Sequence, residues 1–355
     1  MAEAPLTRRE EEILLGVLRL YADSRKPVSS ADLRENCSED ISTSLIRSVL
    51  NSLENKGYLA KEHVSSGRIP TDLAFRYFAS MALKNLSSID LRRSFRRPPE
   101  GMRDIRTMAR EISRAISAAH RSVGFATAPS LVDTRLSVCE LYPVSRDKIV
   151  FVALAQGGRI IECVLDRRHG YSWEHLRSFS NYITRNYRGW TFREIRNHLK
   201  VQLVKDREKV ADWVLEALSL IAPAVEQLPS DVELFWDGLE WLVDIPEIAV
   251  DRRSLKALVE TVEKKERLLG ILDELLMNGK GGTIALGADW PRGLNPPSLT
   301  LIAVPYGAEG CGRGVIGLIG PKSMKYDEAL PNLSSSALIL TEASMDLSAG
   351  GREIG

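Results

Sequence analysis

An α+β multidomain chain is predicted, carrying a winged helix-turn-helix at its N-terminus. Three observations predict it. Three short amphipathic segments fall within the first 56 residues, and a glycine-tipped extended stretch follows them at once. Beyond residue 120, apolar runs of strand length alternate with helical blocks, and strands return after the helices. The length of 355 residues exceeds one small unit and suffices for two or three.

In the first segment, residues 7–22, Ile13, Leu14, Val17, Leu18 and Tyr21 recur at helical spacing, with Glu10, Glu11, Glu12 and Arg19 on the other faces. Pro27 interrupts. Ser29, three residues before Asp32, caps a short second helix through Leu33 and Glu35, and Ser42 caps a third that runs to about Lys56. Gly57 stands where a left-handed residue ends a helix. Tyr58-Leu59-Ala60-Lys61 reads as a strand, and residues 63–69 as a small hairpin turning near Ser66-Gly67. Pro70-Thr71 ends the extended path, and a fourth helix starts near Asp72, closing a head of residues 1–85. Residues 86–121 read as a linker, rich in Arg92, Arg93, Arg96 and Arg97, and a connecting helix. That helix has Met102, Ile105, Ala109, Ile112 and Ile116 on one side and Arg103, Arg106, Arg110 and Arg114 elsewhere. Its arginines suit either DNA phosphates or a solvated, partly paired surface.

The body opens with expected strands at 136–141, 149–154 and 160–164, then a helical block over 170–224. Helices are expected over 231–243 and, as one long element, 254–277. Strands follow at 283–286, 299–304 and 314–319, with a final helix bearing Ala329, Leu333, Leu338 and Leu340. Trp213, Trp236, Trp241 and Trp290 are core candidates. The economical account is a sheet drawn from both halves of the body, residues 122–169 and 225–345. Residues 170–224 are then inserted between them, and 346–355 form a tail.

Composition excludes more than it selects. The 48 Lys+Arg against 47 Asp+Glu leave a net charge of +1, so nucleic-acid binding, if present, must reside in a local face. Cys37, Cys139, Cys163 and Cys311 form no CxxC pair, and the five histidines share no ligand spacing, so no metal or cofactor is expected. No secretory pattern opens the chain and no apolar run approaches membrane-spanning length, which makes a reduced cytoplasmic setting the expectation. Glycine-rich stretches at 279–282 and 307–314 lack the Lys-Ser/Thr ending of a P-loop and read as turns.

The third helix carries the candidate chemistry. Ile46, Val49, Leu50 and Leu53 form one stripe, while Ser44, Arg47, Ser48 and Asn51 repeat the spacing on another face. In a major groove Arg47 could bond guanine or a phosphate and Asn51 adenine, with the two serines small enough to permit close approach. Arg68, after the hairpin turn, is placed for a phosphate or the minor groove. Ser65 and Ser66 offer hydroxyls to phosphates, and Lys61 is a further basic candidate.

The run Gly57-Tyr58-Leu59 followed by His63-Val64-Ser65-Ser66-Gly67-Arg68-Ile69-Pro70-Thr71-Asp72 resembles the wing of the HrcA heat-inducible transcription repressors. Pro27-Val28, Ile46-Arg47, Ala126-Thr127-Ala128-Pro129, Leu239, Ile245-Pro246-Glu247 and residues 317–326 are similar to the same family along the rest of the chain. The resemblance implies a winged-helix head, a GAF-like body and an inserted dimerising domain. It also implies a homodimer on an inverted-repeat operator of chaperone operons, release under heat or folding stress, and GroEL as a partner. A cytoplasmic protein, nucleoid-associated when on its operator, and not an enzyme, is what such a family implies. The chain departs from the pattern at Ser48-Val49-Leu50, where the family has Asn-Glu-Met, and at Ala74-Phe75, where it has Gly-Tyr; loss of the Asn removes a bidentate group. Two other readings fit the same head: a small-molecule-responsive winged-helix regulator, and a protein-interaction adaptor.

Overall fold

The computed structural model describes residues 5–36, 42–61, 67–86, 104–128, 130–156, 159–166, 171–204, 211–228, 232–243, 245–277, 282–291, 294–307 and 313–349. In the head, α1 (Arg8–Ser24) starts on a capping box in which the Thr7 hydroxyl accepts from the Glu10 amide and the Glu10 carboxylate accepts from the Thr7 amide. α2 (Ser30–Asn36) is bracketed by the reciprocal Ser29 and Asp32 bonds, and α3 (Thr43–Asn55) by Ser42, whose hydroxyl accepts from the Leu45 amide. Gly57 turns the chain at φ 81°, and β1 (Leu59–Lys61) pairs antiparallel with β2 (Arg68–Pro70), Lys61 opposite Arg68. The expected turn at Ser66-Gly67 falls largely outside the described residues. Gly67 itself passes so close to the Pro27-Val28 backbone that a Cβ there would lie 2.6 Å from the Val28 carbonyl oxygen. This approach lets Val28 exchange two backbone hydrogen bonds with Arg68, adding a third extended segment to the pair. α4 (Asp72–Asn85) follows.

The body is built on a five-stranded antiparallel sheet of order β7-β3-β10-β9-β8, with β3 at Val123–Ala128, β7 at Glu233–Asp237, β8 at Thr283–Leu286, β9 at Leu299–Gly307 and β10 at Arg313–Pro321. Period-two alternation sends Ala126, Ile302, Val304, Ile316 and Leu318 to one face, against α5 (Ile105–His120) and the terminal helix Tyr326–Ala349. Val123, Phe125, Leu301, Ala303 and Ile319 go to the other face, against short helices at Leu239–Val243 and Pro246–Ala249 and two longer ones at Arg252–Glu263 and Lys265–Met277. Both faces are therefore dry. The head's core is continuous with the first of these layers, because Phe78 of α4 meets Tyr326 with ring centroids 5.4 Å apart.

Four expectations are corrected. Residues 122–169 do not all join the main sheet: β4 (Leu136–Pro143), β5 (Lys148–Ala155) and β6 (Ile160–Asp166) form a separate meander. The meander shares its core with α6 (Trp173–Tyr187), α7 (Phe192–Val204) and α8 (Asp212–Glu226), so the inserted unit begins near residue 131 rather than 170. Short loops join the three strands, which pair antiparallel with one another in chain order. The helix expected over 231–243 is instead β7 followed by a short helix, because Phe235 and Trp236 pair with β3 and Gly238, at φ 87°, ends the strand. The long helix over 254–277 is two, α11 (Arg252–Glu263) and α12 (Lys265–Met277), broken at an extended Lys264; α9 and α10 are the short helices before them, and α13 is the terminal helix. Trp213 is 48% exposed and leaves the core, whereas Trp290 is buried and donates its indole N–H to the Ala285 carbonyl at 3.0 Å.

Candidate nucleic-acid interface

α3 is held against α1 by one buried carboxylate. Glu10 accepts from Lys56 Nζ at 2.8 Å and from the Ser52 hydroxyl at 2.6 Å, and also caps the Thr7 amide. The Lys56 ammonium first, then Ser52, hold its pKa at about 2, so it stays ionised through any cellular pH. Ile46, Leu50 and Leu53 are buried and Val49 is half-buried, as the spacing requires.

The opposite side of α3 is in solvent. Ser44, Arg47, Ser48 and Asn51 are all exposed there, so the four predicted groups share one surface. Their side chains are not equally free. Ser44 lies 3.1 Å from the Ser42 hydroxyl, and the Arg47 Nε–H donates to Ser30 on α2 at 3.3 Å, which tilts the guanidinium toward that helix. Arg68 does not reach outward from the hairpin. Its side chain is 14% exposed; a terminal N–H donates to the Asn51 side-chain oxygen, and Nε lies 3.5 Å from Glu54 Oε2. Lys61 Nζ lies 3.1 Å from the same Glu54 oxygen. Two cations of the hairpin thus converge on one carboxylate of α3. Ser65 and Ser66 lie outside the described residues. Sequence reasoning passed over Glu54, although its position three residues after Asn51 puts it on the neighbouring strip of the helix. The arginines of α5 are partly spent: Arg106 pairs with Glu233, and Arg106 and Arg110 both lie over the Phe235 ring.

Within this frame, residues 106–330 match the family described as the HrcA protein C terminal domain. The chain belongs to the HrcA family. Full-length relatives extend the match over the head. The heat-inducible transcription repressor HrcA of Nitratidesulfovibrio vulgaris is 28% identical over 355 residues, covering 95% of this chain and 97% of the relative. Those of Geobacter sulfurreducens and Sorangium cellulosum are 26% and 29% identical with the same coverage. A crystal structure of a hypothetical protein at 2.2 Å resolution superposes with a TM-score of 0.64, at 22% identity, over 97% of this chain and 99% of the other; the two share a fold. Membership of the HrcA family makes the chain a transcriptional repressor of the stress response and not an enzyme. Among the described residues no helix is long and apolar enough to cross a membrane, and no group of three or more His, Cys, Asp or Glu side chains is arranged to hold a metal.

In this HrcA-family chain the head is fixed to the body by charge as well as by packing. Arg19 pairs with Asp327 at 2.7 Å, Lys325 with Asp23 at 2.8 Å, Lys322 with Asp72 at 2.6 Å, and Arg76 with Asp289 at 2.6 Å. Each exposed pair contributes little alone, but four across one seam, around a Phe78–Tyr326 contact, oppose rotation of the head.

Proposed function

We propose that the chain is a homodimeric winged-helix repressor that lays α3 in the major groove of each half of an inverted-repeat operator of chaperone operons. Heat or folding stress would release it, and GroEL would restore its DNA-competent form. The observation that carries the reading is the surface of α3: small hydroxyls, an arginine and an amide on the exposed side of a helix whose other side is locked into the core. The GAF-like body supplies the rigid mount, and the inserted unit supplies the two-fold contact that an inverted repeat demands.

A surface suited to that contact exists on the meander. The outward side chains of β4, β5 and β6 include Val138, Tyr142, Val150, Val152, Leu154, Ile160 and Val164; Ile160 and Val164 are each 63% exposed. On that face Glu140 and Glu162 flank Val152, between the apolar rows Val138-Leu154-Ile160 and Tyr142-Val150-Val164, and two outward apolar rows suit a second layer.

Footprinting of the full chain upstream of chaperone genes, with and without GroEL, tests the proposal. Protection of an inverted repeat is expected, and Arg47→Ala should weaken it by about 1–3 kcal/mol while the head stays folded. No protection with wild-type protein would overturn the reading. A small-molecule-responsive repressor is favoured by one observation, a cavity of about 560 Å³ at the head–body seam bounded by Arg25, His120, Arg121, Trp241 and Lys325. In that case protection would change with metabolite extracts and ignore GroEL.

A further inference from the structure

Leu45 is the one large apolar side chain of the head that stands exposed among the described residues, at 46%. Every other large apolar group there is buried or at least partly covered. Its position is also particular. Leu45 lies in the first turn of α3, where its amide donates to the Ser42 cap, so the side chain is carried on a fixed helix start. At 100° per residue, Ser44, Ser48 and Asn51 form the middle of the exposed face, with Leu45 flanking Ser48 on one side and Arg47 flanking Asn51 on the other. Arg47 leans away toward Ser30, and Asn51 is engaged by Arg68. What the first two turns offer without a protein partner to release is therefore Ser48, small and hydroxylic, with an isobutyl group beside it.

We infer that Leu45 is a specificity-determining residue that reads the 5-methyl group of a thymine in each operator half-site. The inference rests on the proposed repressor reading and names a contact within it. Residues at the start of a recognition helix reach base edges, and in the major groove the thymine methyl is the one apolar feature of the base-pair code. Ser44 and Ser48 add little bulk, so the helix can sink until Leu45 meets the groove floor. Burying one methyl against Leu45 is worth about fourfold in affinity, or roughly fifteenfold for two symmetric half-sites.

The test uses the full chain and the operator it protects, with thymines replaced by deoxyuridine in symmetric pairs, one position at a time. Deoxyuridine keeps its pairing edge and loses only the methyl. With wild-type protein, one pair of replacements should weaken binding about fifteenfold. Leu45→Ala should weaken binding to the unmodified operator by a similar factor and be indifferent to that same pair, while Leu45→Met should restore the sensitivity. Non-specific duplex binding reports that the variants remain folded and should not change. A flat deoxyuridine series with wild-type protein, or a methyl effect that persists undiminished in Leu45→Ala, overturns the assignment while leaving the repressor reading intact. Failure of wild-type protein to protect any inverted repeat removes that reading, and the assignment with it.

Discussion

Arg68 is the candidate whose surroundings were hardest to foresee. Following the hairpin turn, it reads as a contact for a phosphate or the minor groove; folded, it lies against Asn51 and Glu54, with Lys61 on the same carboxylate. A residue's place in a turn fixes its backbone, but the nearest uncompensated charge decides where a long side chain goes. Glu54 therefore holds two cations in reserve, and approach of a phosphate must compete with it. Two substitutions separate these effects. Arg68→Ala should lower the magnitude of the salt dependence of DNA binding by about one unit, the signature of one lost phosphate contact. Glu54→Gln should do the reverse, tightening binding to any duplex and steepening the salt slope, because the cations are no longer neutralised. Salt titrations of both full-length variants check this. Slopes identical to wild type in both would mean that the pair never leaves Glu54.

Elements carried by local signals were legible in the sequence. The serine caps of α2 and α3, the apolar stripe of α3, and the Gly57 stop all act within a few residues, and the folded chain uses each of them. Legibility ended where a distant partner decides. Glu233–Asp237 carries apolar residues that suit a helix or a strand, and the vacant edge of β3 makes it a strand. Lys264 breaks a continuous apolar pattern by turning extended between α11 and α12, so that both helices bring residues, Leu258 and Leu268 among them, to the same core. The groups of the candidate interface were readable as a face, since helical spacing alone places them; their partners Ser30 and Glu54 were not. The coupling of α1 to α3 through Glu10 has the same tertiary origin and can be tested by pH. Its carboxyl is depressed from an ordinary 4.5 to about 2, so the stabilisation it gives is full above pH ~4.5 and is lost as pH falls through about 2. Glu10→Gln should cost about 1–3 kcal/mol near neutrality, leaving the half-buried Ser52 and Lys56 donors poorly matched. The deficit relative to wild type should shrink between pH 4.5 and 2 in urea melts. A deficit independent of pH would assign the loss to packing.

At the scale of the whole molecule, the proposed repressor needs two surfaces set at a fixed distance: α3 of one head and α3 of a two-fold mate. The head is poorly suited to do this itself, since among the described residues its large apolar side chains, Leu45 apart, are buried or partly covered by its own core and the seam with α13. Four ion pairs and the Phe78–Tyr326 contact transmit the head's orientation to the five-stranded sheet, and the inserted unit stands on that sheet through Arg159, which pairs with Glu233 of β7 at 2.9 Å. The chain of rigid contacts ends at the outer face of β4-β5-β6. Among the described residues, eight of the twelve exposed large apolar side chains, Tyr142, Val144, Ile160, Val164, Trp173, Trp190, Val201 and Trp213, belong to the inserted unit. Tyr142 and Trp173 stack on one another at 5.8 Å and extend the apolar face beyond the strand ends. Covering such a face with a second copy links two heads and raises their effective concentration at paired half-sites without a new base contact. Val164→Lys, near the centre of the edge strand β6, adds a charge to that face at a side chain that is already 63% exposed. Sedimentation of the full-length variant should give a monomer where wild type gives a dimer. Its operator affinity should fall at least a hundredfold while binding to a single half-site stays within about twofold. Thermal melts should place its Tm near that of a wild-type sample diluted below its dimerisation constant. A folded Val164→Lys chain that remains dimeric moves the interface off the meander, to the helices α6–α8 on its other side.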